Sequence, residues 1–238
     1  MQTVLFVPGT FCDQRLFSPQ QAFLRERGIN SQVAELEGGN TFADMSRTIL
    51  AKAPSRFALC GLSMGGILAF ELWRQAPDRI SRLALLDTNP FAETQEKRNA
   101  RNGVVRTLDA KSGNADENLA DFVKSTLFPQ YIFKPSDNEK TLETIVENMA
   151  RSTGWTRGRS QLQALNSRVD SFATLNTISV PSIIICGEQD TLCPVERHTV
   201  MAEHIPESEL HILPQCGHLS TLEQPKQVNE LLLHWLNI

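Results

Sequence analysis

The chain has 238 residues, 23 Lys and Arg against 27 Asp and Glu, and a formal net charge of −4. That length lets one large domain bury about 70 to 75% of its unfolded surface without disulfide or metal support, and the charge lacks the basic excess that nucleic acid or an anionic membrane selects. With 41% hydrophobic and 21% charged residues, the composition excludes the disordered, collagenous and coiled-coil classes.

Five scattered cysteines, Cys12, Cys60, Cys186, Cys193 and Cys216, form neither a disulfide framework nor a zinc-binding pattern and suit a reducing compartment. The segment from Met1 to Gly9 has no basic leader, and no run approaches the roughly 18 apolar residues of a membrane helix. The expectation is a soluble cytoplasmic protein.

Val4 to Val7 is a continuous apolar run stopped by Pro8 and Gly9, the pattern of a strand buried on both faces. Ser18 as N-cap, Pro19 in the first turn and Gln21 three residues after the cap predict a helix near 19 to 27, with Gly28 as its stop. The alternation repeats: a strand near Gln32 to Leu36, a helix from about Thr41 to Ala53, a strand at Arg56 to Cys60, a helix from Met64 to Gln75 and a strand at Arg82 to Leu86. This is the rhythm of βαβ units on a mostly parallel, doubly wound α/β sheet.

From Asn89 to Ser179 the rhythm breaks. Apolar residues fall at helical spacing, Leu119, Phe122, Val123 and Leu127, then Leu142, Ile145, Val146 and Met149, so residues 89–179 are expected to form a helical cap on a single domain whose core is 1–88 and 180–238. The strand pattern resumes after Pro181, followed by a helix over Val195 to His204, a strand at Glu209 to Leu213 and a last helix from Pro225 to Asn237.

Gly61-Leu62-Ser63-Met64-Gly65 lies between a predicted strand and a predicted helix, which is the setting of a nucleophile elbow. Chance supplies roughly 0.05 such strings in a chain of this composition, before any structural requirement is added. Small flanking residues, Gly61, Gly65 and Gly66, suit a strained turn pressed between helix and strand. A serine hydroxyl needs a base, itself oriented by a carboxylate. Asp190 and His218 follow the two later strands in the loops Gly187 to Asp190 and Gly217-His218, at the carboxyl edge where ligands bind in parallel sheets. Asp87, which ends the strand at Leu86, and Glu188, in the same turn as Asp190, are rival acids. The oxyanion calls for two backbone donors, expected at Met64, at the amino end of the helix, and at Thr10, in the loop after the first strand.

Together, Val7-Pro8-Gly9-Thr10-Phe11, the elbow, Gly187-Glu188-Gln189-Asp190 and the run from Cys216 to Pro225 resemble the α/β-hydrolase superfamily over nearly the whole chain. The run from His218 to Pro225 is similar to that of 3-oxoadipate enol-lactonases, and the compact capped build resembles carboxylesterases acting on pimeloyl-carrier-protein methyl ester. Two features depart from the pattern: Pro8-Gly9 stands where His-Gly is usual, and the chain starts at what would be the family's third strand, which implies about six strands.

The resemblance implies a hydrolase cleaving a small carboxylic ester or lactone through an acyl-enzyme on Ser63, with neither cofactor nor metal, as a monomer or homodimer. The same triad also serves carbon–carbon hydrolases and lyases, and the fold also serves non-catalytic receptors. Enol-lactonase substrates carry a free carboxylate, for which Arg157 and Arg159, in Trp155-Thr156-Arg157-Gly158-Arg159, are the first candidates, though a solvated cap surface is the preferred reading of both; Phe11 is a candidate for the acyl pocket, with ordinary cap packing as its alternative. His198, His204, His211 and His234 lack metal-ligand spacing and read as surface or satisfied core residues.

Overall fold

The computed structural model describes residues 3–237; Met1 and Gln2 of the N-terminal segment read above, and Ile238, lie outside the described residues. Six strands form one parallel sheet in the order β2-β1-β3-β4-β5-β6, comprising β1 (Val4–Val7), β2 (Ser31–Val33), β3 (Phe57–Leu62), β4 (Ile80–Leu86), β5 (Ser182–Gly187) and β6 (Ser208–Leu213). Every residue of β1, β3 and β5 is buried, as strands covered on both faces must be. The edges are a three-residue strand, β2, and β6, which carries Glu209 and His211; short length and polar side chains both weaken edge pairing.

Six helices pack on the sheet: α1 (Ser18–Glu26), α2 (Phe42–Lys52), α3 (Met64–Gln75), α9 (Val195–His204), α10 (Ser220–Glu223) and α11 (Pro225–Trp235), with α1 against α11 and α2 against α3. The start of α1 differs from the sequence expectation. Ser18 is already helical, with φ −55° and ψ −42°, because a 3₁₀ turn over Gln14–Phe17 runs straight into the helix. Asp13 caps that turn instead, its Oδ1 accepting the Arg15 N–H at 2.9 Å. Gly28 does end the helix, at φ +70°.

Between β4 and β5 every regular element is helical: α4 (Gln95–Ala110), α5 (Ala115–Phe122), a π-helical turn at Val123–Leu127, α6 (Phe128–Tyr131), α7 (Glu139–Ser167) and α8 (Phe172–Leu175). α7 breaks at Gly154, φ +73°, where Asp116 Oδ1 accepts the N–H of Trp155 at 2.7 Å. Leu119, Val123, Leu142, Val146 and Met149 from the predicted stripes are buried where α5 packs on α7. Arg74 of α3 anchors the return to the sheet, donating to Ser171 Oγ and Thr174 Oγ1 at 3.0 Å each. Among the described residues no helix is long and apolar enough to cross a membrane.

Candidate active site

The register of the sheet sets Val7 beside Gly61 and Leu62 beside Leu86, so the chain after each strand emerges on one carboxyl edge. The strand order reverses between β1 and β3, which opens a crevice there. Ser63 follows β3 and heads α3, with φ +56° and ψ −116°, a conformation a non-glycine residue holds only when its surroundings enforce it. The glycines around it serve close approach rather than positive φ. A Cβ on Gly65 would lie 1.9 Å from the Val7 carbonyl oxygen, one on Gly61 would lie 2.3 Å from that of Gly65, and one on Gly66 would lie 2.5 Å from Thr88 Cγ2. Gly65→Ala is therefore expected to destabilise the chain by about 3 kcal/mol or more, because backbone has to move. A lowered urea midpoint or loss of soluble protein checks this; a variant as stable as the parent would show that β1 and α3 separate freely.

His218 Nε2 lies 2.9 Å from Ser63 Oγ, and its Nδ1 lies 2.7 Å from Asp190 Oδ2. The other oxygen of Asp190 accepts the N–H groups of Leu192 and Cys193, both at 2.9 Å, which fixes the carboxylate in its loop. Burial disfavours the His218 imidazolium, but the touching Asp190 carboxylate outweighs it, and the pKa rises above the ordinary histidine value.

The rival acids stand elsewhere. Glu188 is exposed and hydrogen-bonds to the Gln189 side chain. Asp87 is fully buried beneath the triad, at φ +46°, and accepts from the Gly187 N–H at 3.1 Å, the Ser220 N–H at 3.2 Å and the Ser220 hydroxyl at 2.5 Å. Burial, and then the Asp190 charge, push its pKa well up, and its hydrogen bonds to Gly187 and Ser220 brace two loops.

Two backbone supports of His218 come from Tyr131 and Glu223, whose part in holding the histidine no sequence pattern shows. Its N–H donates to the Tyr131 carbonyl at 2.7 Å, and the Tyr131 ring lies 5.8 Å from the imidazole. Glu223 accepts from the N–H groups of Gly217 at 3.1 Å and Leu219 at 3.0 Å on either side of His218, and from Phe133 at 2.7 Å in the insertion. One carboxylate thereby ties the histidine loop to the segment above it.

Ser63, His218, Met64 and Thr10 line a cavity of about 230 Å³ between the sheet edge and the insertion. Its apolar wall includes Met64, Ile67, Leu165 and Leu219; its polar wall is Asn89, Glu93, Lys97, Arg101 and Arg168. Three residues expected to bind substrate are not on this wall. Phe11 is buried, its ring against Gly158 and its N–H donated to Gln161 Oε1 at 2.8 Å. Arg157 folds back on its own helix, donating to the carbonyls of Thr153 and Ser152, beside a separate depression. Arg159 pairs at 3.2 Å with Asp109 on the exposed side of the insertion. The kink at Gly154 and the packing of Gly158 on Phe11 rotate both arginines away from Ser63.

The ligand atoms of Asp190, Cys193 and His218 converge within 4.8 Å, but Asp190 and His218 already bond to one another, and burial pushes the Cys193 thiol up to about 12, so the set is poorly suited to a cation. His198 is a satisfied core residue: its Nε2 accepts the Thr88 N–H at 2.9 Å and burial lowers its pKa to about 4. His211 and His234 both meet Glu209 at the surface, and His204 bonds to the Val200 carbonyl. All five cysteines are buried and unpaired.

The family model for the alpha/beta hydrolase fold matches residues 38–225, most of the chain. The chain is an α/β-hydrolase. Pimeloyl-[acyl-carrier protein] methyl ester esterase from Nitrosomonas europaea is 30% identical over 202 residues, covering 77% of this hydrolase and 72% of that protein. Among solved structures, a thermophilic esterase from Thermogutta terrifontis with malate bound superposes with a TM-score of 0.86 at 24% identity, over all of this chain and 90% of that one. The enol-lactonase from Burkholderia xenovorans LB400 also gives 0.86, at 20% identity, over all of this chain and 92% of its own. At those identities the two structures speak for the fold alone.

Proposed function

We propose that this hydrolase cleaves small carboxylic esters or lactones through an acyl-enzyme on Ser63, and that residues 89–179 act as a cap on a single catalytic unit. The observation that carries this reading is the continuous chain Ser63 Oγ to His218 Nε2 at 2.9 Å and His218 Nδ1 to Asp190 Oδ2 at 2.7 Å, opening on a cavity sized for a small acyl group. His218 takes the Ser63 proton as the hydroxyl oxygen attacks the carbonyl carbon, and Asp190 holds the imidazole and stabilises the imidazolium. The oxyanion then meets the N–H of Met64, at the positive end of α3, and that of Thr10. Two neighbouring donors on the first loop are already engaged, Phe11 with Gln161 and Cys12 with the Gly9 carbonyl at 3.2 Å, which favours Thr10. Collapse of the intermediate passes the proton from His218 to the leaving alkoxide, and water repeats the sequence to release the acid.

The likeness to a methyl ester esterase supports the ester reading, and the modest volume of the cavity favours short acyl groups. The test is rapid mixing with p-nitrophenyl esters of graded chain length, alongside a set of lactones. One equivalent of nitrophenol per chain is expected as a burst, largest for short acyl groups, together with labelling of Ser63 by a fluorophosphonate. Neither burst nor labelling, with the chain folded, would overturn the reading.

A further inference from the structure

Arg168, at the end of α7, lies on the wall of the Ser63 cavity with its side chain only 7% exposed. A guanidinium offers five N–H donors in a rigid fork, yet among the described residues its one hydrogen bond is a long one, from Nη2 to Asn89 Oδ1 at 3.4 Å. Its Nε is buried without a partner among the described residues. Glu93 Oε1 forms an ion pair with it, 3.6 Å from Nη2 and beyond hydrogen-bond reach. Arg101 shares that carboxylate, donating to its other oxygen at 2.6 Å and to Asn166 Oδ1 at 2.7 Å. The polar wall therefore sets three cations, Lys97, Arg101 and Arg168, against one carboxylate, and Arg168, the most buried of them, is ion-paired with Glu93 but short of hydrogen bonds. A buried cation left without its hydrogen bonds destabilises a fold, and the planar fork of arginine matches a carboxylate through two parallel N–H bonds.

We propose that Arg168 binds a carboxylate of the substrate, so that the cavity takes half-esters or acidic lactones whose free acid group lies opposite the bond cleaved at Ser63. This rests on the reading of the Ser63 cavity as the site of hydrolysis. The anionic group sits on either the acyl or the alcohol part of the ester, and the two are separable.

The test compares matched pairs: monomethyl glutarate with methyl valerate, carrying the acid on the acyl side, and 4-acetoxybutanoate with butyl acetate, carrying it on the alcohol side. The native chain is expected to prefer the acidic member of one pair. Arg168→Gln should raise KM for that ester about 10- to 100-fold, the loss expected of a charge-assisted bidentate contact, and shift its neutral partner less than about twofold. Arg168→Lys, which keeps the charge but not the fork, should fall between them, and it replaces the Gln variant if that fails to fold. Equal KM changes within each pair, or no acidic preference in the native chain, overturn the proposal. Should none of the esters be hydrolysed, calorimetric binding of monomethyl glutarate decides separately: affinity lost on Arg168→Gln upholds the carboxylate site while the hydrolytic reading falls, and affinity unaltered overturns the site.

Discussion

Ser63→Ala is expected to lower kcat on order of 10⁴-fold or more on any ester the chain hydrolyses, while the thermal transition stays within a few degrees. The substitution deletes one oxygen at a turn whose strained backbone is held by Gly61, Gly65 and Gly66, not by the hydroxyl. The Ser63 carbonyl, which accepts from the Thr88 hydroxyl at 2.7 Å, is untouched. His218→Ala should cost about as much, and the double variant hardly more than either single one, because the members act as a unit. Steady-state kinetics on purified variants, with thermal melts alongside, make the check. Turnover surviving Ser63→Ala would transfer the chemistry to a water molecule activated by His218, and multiplicative losses in the double variant would separate the two residues.

The second large effect concerns the acid. Asp190→Asn is expected to reduce kcat by on the order of 10³ to 10⁴-fold, since the amide holds the imidazole in the wrong tautomer, whereas Asp87→Asn should cost activity far less. The pH profile separates the two independently of size. His218 accepts the serine proton only as the neutral imidazole, so kcat/KM on an uncharged ester falls as pH drops through the His218 pKa. Burial lowers that pKa and the Asp190 charge raises it, with the net direction upward. Asp190→Asn removes the anion and leaves the burial, so the acid limb should move to lower pH. Asp87 also raises the His218 pKa, but less than Asp190, which touches the imidazole, so replacing Asp87 should move the limb down by less than Asp190→Asn does. A larger loss and a larger downward shift for Asp87→Asn would make Asp87 the orienting acid.

Much of the core was legible because its signals are local. The helix Met64 to Gln75 and the strand ending at Leu86 have the bounds or ends that apolar periodicity predicts, and the strand–Gly–x–Ser–x–Gly–helix run marks Ser63 because a backbone so tightly packed admits only small neighbours. Boundaries failed where a neighbouring turn intervened. Ser18 looked like an N-cap, yet the 3₁₀ turn before it carries the helix upstream to the Asp13 cap, a continuation that propensity at Ser18 cannot express. In the sequence, only its place at the end of the loop Gly187 to Asp190 favours Asp190 over Asp87. Which of them reaches His218 Nδ1 depends on how the loop after β5 curls back, with the Leu192 and Cys193 N–H groups gripping Asp190.

The sequence by itself determined the alternating strands and helices, the turn that exposes Ser63 and the presence of an acid and a histidine beyond later strands, all consequences of spacing and residue size over short stretches. Only the tertiary structure decided which arginine meets the cavity. Arg157 and Arg159 stood out as an arginine pair beside a tryptophan, but the break at Gly154 and the contact of Gly158 with Phe11 send them outward. Arg168 sits in an unremarkable polar stretch and is brought to the wall because α7 ends over the crevice beside Asn89 and Glu93, nearly 80 residues earlier in the chain. A side chain's direction at the end of a long helix follows from the rotation accumulated along that helix and from what it packs on, and neither is a local property of the sequence.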